Sequence, residues 1–245
     1  MKAASIPLLL LAAFAGTSRL QAQHSHAGHG ADSSNMIGAA DATMSGPMSA
    51  AAMKHMEMSP TRRATREDSA RALSLAKQLR AALGKYADTV AAIADGYRMF
   101  APQLKQQRVF HFTNYRHAFM AGFRFDPDKP TSILYRRGAD GRLELVGAMY
   151  TAPKRMGVDK LDGRVPLSIA RWHKHVNWCV PRLREKDRWF ERRDGLPVFG
   201  PESPIASKKE CEEVGGLFFA SPMGWMIHAN VFLGDDLNTI WGHEH

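Results

Sequence analysis

His173 and His175, two positions apart in the run Trp172-His173-Lys174-His175-Val176-Asn177-Trp178-Cys179, have the spacing in this chain best suited to chemistry. On a strand rising about 3.3 Å per residue they stand roughly 6.6 Å apart on one face, within reach of a single metal ion. Alternation places Arg171, His173, His175 and Asn177 on a polar face and Ala170, Trp172, Lys174, Val176 and Trp178 on the other. His111, in an alternating segment over 109–113, and His228, in a segment over 225–233 where it shares a face with Asn230, can join the pair from neighbouring strands. Imidazole suits zinc, copper, iron and nickel, and three or four converging rings with an open position leave room for water or substrate. Such a centre serves binding or, because a metal acidifies its bound water, catalysis.

A second set of donors lies upstream. His24, His26, His29 and His55 accompany Met36, Met44, Met48, Met53, Met56 and Met58, so that six of the chain's 13 methionines fall in one short stretch. Thioether and imidazole together suit soft copper(I), and also copper(II) and silver(I), which favours copper over zinc or iron. Residues 24–62 are also poor in the branched and aromatic side chains that build a core, so the expectation is a disordered tail. Exported tails of this composition resemble those of periplasmic copper-handling proteins.

The first 23 residues have the layout of a secretory leader: Lys2, an apolar run over 6–15, then Leu20-Gln21-Ala22. No other stretch approaches the roughly 20 apolar residues of a membrane span, so the mature chain is expected to be secreted or periplasmic with no membrane span. In an oxidising compartment Cys179 and Cys211 pair by default as a disulfide; Cys179, four residues after His175, is alternatively a thiolate ligand. The formal charge of +9 concentrates between Lys154 and Arg193, where acidic residues interrupt it. With export, that mixture argues against nucleic acid as a partner.

The elements that must position the histidines follow from periodicity. Over residues 65–97, Leu73, Ala76, Leu79, Leu83, Tyr86, Val90, Ile93 and Tyr97 form one helical stripe, started by Thr65 with Glu67 and Asp68 and liable to kink or break at Gly84. Strands are expected over 109–113, 132–137, 142–151, 167–178 and 225–233, with Gly138-Ala139-Asp140-Gly141 as a hairpin turn. The charged, Pro- and Gly-rich stretch 181–216 is expected to be an excursion tied back by the disulfide. The fold class is α+β: a leader over 1–23, a tail over 24–62, and over 63–245 a single globular domain of one long helix packed on an antiparallel sheet. His117, beside Arg116, reads as a surface or supporting residue, and His243 and His245 as a solvated terminus.

Ala94-Asp95-Gly96-Tyr97, His111-Phe112-Thr113-Asn114, Phe125-Asp126-Pro127, Leu145-Val146-Gly147-Ala148-Met149-Tyr150 and Trp172-His173-Lys174-His175 together resemble a group of uncharacterised exported bacterial proteins. The resemblance covers about residues 90–180, with the strand near 224–232. It implies secretion and one domain, and it carries no activity.

The chain has no Gly-x-Ser-x-Gly elbow, phosphate-binding glycine loop or His-Glu-x-x-His helix. Three functions fit what is left. The first is an exported metal-binding protein, copper favoured, using the histidine cluster and the Met/His tail. A metal-dependent hydrolase or oxidoreductase at the same cluster is the second. The third is a metal-free module holding a small-molecule ligand or a partner on its Trp-lined face.

Overall fold

The computed structural model describes residues 53–100, 102 and 109–242. The leader and most of the Met/His stretch, including His24, His26 and His29, lie outside the described residues, as do His243 and His245. Among the described residues no helix is long and apolar enough to cross a membrane.

The chain forms a mixed α/β structure around an antiparallel sheet. Its elements are β1 (Met56–Met58), α1 (Arg66–Leu83), α2 (Thr89–Ala94), β2 (Arg98–Met99), β3 (Val109–Thr113), α3 (Tyr115–Met120), β4 (Ser132–Arg137) and β5 (Leu143–Ala152). Then follow α4 (Val158–Arg164), β6 (His173–His175), β7 (Trp178–Val180), β8 (Arg192–Arg193), β9 (Leu196–Pro197), α5 (Lys208–Glu213), β10 (Leu217–Phe219), β11 (Trp225–Ala229) and α6 (Leu237–Trp241). The main sheet has seven strands in the order β1-β6-β11-β5-β4-β3-β2, with antiparallel pairing throughout. The turn at 138–141 closes β4 onto β5, with Gly141 at φ 81°, a conformation that glycine adopts without the Cβ penalty.

Helix α1 begins in a capping box: the Thr65 hydroxyl accepts from the Asp68 amide at 3.2 Å while Asp68 accepts from the Thr65 amide at 3.0 Å. Arg62 donates to both oxygens of Asp68 at 2.6 and 2.7 Å and reaches Asp162 at 2.8 Å, fixing the segment that links β1 to the helix. The single helix expected over 65–97 is three pieces, because a 3₁₀ turn at Gly84–Tyr86 and the Asp88 cap of α2 reset the helical phase. Ala72, Ala76, Leu79 and Leu83 face the core, whereas Leu73, Val90 and Ile93 from the expected stripe are exposed. The buried helix positions share one apolar cluster with Phe110, Phe112, Ile133, Tyr135, Ala148, Tyr150, Trp172, Trp225 and Ile227.

Two expectations about boundaries are corrected. The tail does not run to residue 62, since β1 pairs with β6 and joins the sheet. The strand expected over 167–178 is only His173–His175: Asn177 takes φ 58°, and the chain turns away so that β7 pairs with β10 in a separate two-stranded sheet. Cys179 in β7 is bonded to Cys211 in α5, and the pair packs with Val198 and Phe199 in a small second core. Gly216 passes so close to both sulfurs that a Cβ there would collide with them.

Candidate metal centre

Directly opposed residues of an antiparallel pair point to the same side of the sheet, so the registers reveal what each face carries. Met56 opposes His175, Met58 opposes His173, and His173 opposes Met226. On the next strands Met226 opposes Thr151 and His228 opposes Met149, which in turn opposes Ser132. Ser132 opposes Thr113 and Leu134 opposes His111. One face of the sheet therefore bears four histidines, four methionines, two threonines and a serine, with little of the aromatic packing found on the other.

The rings follow one another in a row of neighbouring pairs. His111 lies 5.7 Å from His228 between centroids, His228 lies 5.4 Å from His173, and His173 lies 6.1 Å from His175. His111, His173 and His175 are buried, and His228 is half-buried. Burial pushes the His175 imidazole down to about 4, and the neighbouring His55 and His111 add to the shift, so this ring is a neutral lone-pair donor at pH 7. A neutral ring can accept a metal without first releasing a proton. Trp178 closes the end of the row, 5.2 Å from His175, instead of sharing the Trp172 face as strict alternation predicts. Thr113 and Ser132 hydroxyls bond each other at 2.8 Å lower on the face.

Among the described residues no three His, Cys, Asp or Glu side chains stand together so as to hold an ion. Successive ring centroids are 5.4 to 6.1 Å apart, and His111, on β3, meets His228, on β11, although β4 and β5 lie between their strands. The donors beside the row are thioethers. Met58 and Met226 flank His173 on its two adjacent strands, and opposed Cβ atoms lie about 4.5–5.5 Å apart. The side chains of Met58, His173 and Met226 therefore share one face on β1, β6 and β11.

Other expected ligands go elsewhere. His55 sits just before β1, buried, with Nδ1 3.0 Å from the Asn177 carbonyl oxygen and Nε2 2.6 Å from that of Ser203. Both nitrogens are occupied, so it anchors the strand and does not face an ion. Met53 is exposed, away from the row. The disulfide removes Cys179 as a thiolate. Asn177, expected beside the histidines, instead donates from its amide to the Lys54 carbonyl at 3.1 Å, and Asn230 follows the end of β11, outside the strand. Met149 and Met226 were not singled out from sequence, although Met226 lies two positions before His228 and so shares its face.

His117 belongs to a different place. Its Nδ1 lies 3.2 Å from the Pro130 carbonyl oxygen and 3.1 Å from the Tyr97 hydroxyl, and burial holds the ring below its ordinary pKa. It lines a cavity of about 670 Å³ beside α3, together with Asp95, Gly96, Asn114, Phe125, Asp126 and Tyr150 from the segments over 94–97, 111–114, 125–127 and 145–150. No protein-family model, curated protein or solved structure matches the chain.

Proposed function

We propose that this protein is an exported binder of a soft metal ion, copper(I) before zinc or iron, which it holds on the Met/His face of its sheet. The observation that carries the reading is the row Met58, His173, Met226 across three adjacent strands, all turned to one side. Two thioethers and an imidazole are a donor set that soft cations prefer and that hard cations do not. His175 and His228, the rings nearest His173, are the next donors along the row and complete the coordination or pass the ion along it. The disulfide between Cys179 and Cys211 fits the oxidising compartment that the leader implies. His24, His26 and His29 then capture the ion and pass it to the sheet.

The test is metal analysis of untagged protein under a copper(I) buffer, for the mature chain and for one starting at residue 53, so that β1 is kept. The shorter chain should retain one ion, and His173→Ala or Met226→Leu should weaken its retention at least tenfold. Retention unchanged in both variants would remove the sheet site from the proposal.

A further inference from the structure

The cavity beside α3 shares none of the row's histidines or methionines, though Thr151, opposite Met226, lines it, and its volume of about 670 Å³ falls within the span of small-ligand sites. Its apolar side is made by Met120, Ala121 and Phe125, the last stacked edge-on against Tyr150 at 5.0 Å. Its charged side carries Arg116, Arg124 and Lys129 against Asp95 and Asp126. Both carboxylates are already taken. Asp95 receives Lys85 at 2.6 Å and the Tyr86 hydroxyl at 2.7 Å, while Asp126 is shared by Arg124 and Lys129, each at 3.6 Å. Arg116 makes no ion pair or side-chain hydrogen bond among the described residues, so the lining as a whole has an unbalanced positive charge next to an apolar wall. His117 lines the cavity too, its Nδ1 3.2 Å from the Pro130 carbonyl oxygen and 3.1 Å from the Tyr97 hydroxyl.

We propose that this cavity binds a small organic carboxylate, its acid group paired with Arg116 and its apolar body against Phe125 and Met120. A guanidinium presents a planar fork of donors that matches a carboxylate, and an amide of the same shape forfeits the charge. Binding here does not depend on the metal reading, because none of the row's histidines or methionines lines the cavity.

The probes are phenylacetate and its uncharged counterpart phenylacetamide, titrated calorimetrically into the full mature chain. Phenylacetate should bind at least tenfold more tightly than the amide. Arg116→Gln should bring the acid to the level of the amide while leaving the amide unchanged. Ala94→Trp, at an exposed helix end on the cavity's lining, should block both. His173→Ala should alter neither, and thermal midpoints confirm that each variant is folded. Equal affinity for acid and amide overturns the proposal. So does no heat from either phenylacetate or hexanoate at millimolar concentration, or an Arg116→Gln variant that binds the acid as well as the parent.

Discussion

The two faces of the main sheet are made by the same strands, yet they differ in almost every respect. One face presents Phe110, Phe112, Ile133, Tyr135, Tyr150, Trp172, Trp225 and Ile227 and shares its apolar cluster with α1. The other presents His111, His173, His175, His228 and four methionines. Lys174 shows how sharply they divide: it sits between the two histidines, but its ammonium crosses to the opposite side, 3.0 Å from Glu57 and 4.5 Å above the Trp225 ring. A sheet needs only one apolar face to fold. On the proposed reading, the aromatic face supplies the stability and the histidine face the function.

The largest test of this division compares neighbours in sequence. Trp172→Ala should cost about 3–5 kcal/mol, the usual range for a large aromatic removed from a close-packed core. His173→Ala, one residue on, should cost clearly less in urea unfolding while abolishing metal retention. Equal losses would make the histidine face ordinary core. Next in size, replacing Cys179 and Cys211 by serine should cost roughly 3–4 kcal/mol by the loop-closure model for a separation of 32 residues. It should also loosen β7 and so shift the Trp178 fluorescence beside His175. Met226→Leu keeps volume and should cost under about 1.5 kcal/mol in stability, yet weaken copper(I) retention; an equal loss of zinc and copper retention would argue against thioether ligation. The smallest effect belongs to the helix that serves the aromatic face. The Arg62 guanidinium first, with the Thr65 amide and Ser168 hydroxyl, holds the Asp68 carboxyl well below its usual range. The stability this contributes is present above the ordinary carboxylate pKa and falls away as the pH drops through and below it. Asp68→Asn should therefore flatten the acid limb of a pH–midpoint curve without changing metal retention.

Much of the aromatic face was readable in the sequence. The strand at Val109–Thr113 and the 138–141 hairpin announce themselves by alternation and glycine, and the α1 start by Thr65 and Asp68, because each signal is local. Gly84 is visible as an interruption but the phase reset behind it is not, which is why Val90 and Ile93 stand exposed; Leu73, within α1, lies off the buried stripe of Ala72, Ala76, Leu79 and Leu83. The histidine face was only half legible. The pair and its candidate neighbours follow from spacing, whereas β1 has three residues, too few to display a period, and its composition reads as tail. Asn177 in the left-handed region, the feature that ends β6, has no sequence signal stronger than asparagine's tolerance for that conformation. That tolerance is only a tendency, and the alternating run through Trp178 outweighed it. Met149 and Met226 become neighbours of the histidines only through register, a long-range property that composition does not encode.

Strand β1 has one further consequence, for the order in which the molecule can assemble. It comes first among the described strands but pairs with β6, more than a hundred residues later, and β6 in turn needs β11, later still. The meander of β3, β4 and β5 can form as soon as it emerges, since its strands follow one another in sequence, with α3 between the first two and a short turn between the last. Met58, His173 and Met226 meet only when the two ends of the domain have both arrived. The proposed centre therefore comes into existence only after the last strand is delivered, and a chain that is still incomplete has no site to hold an ion.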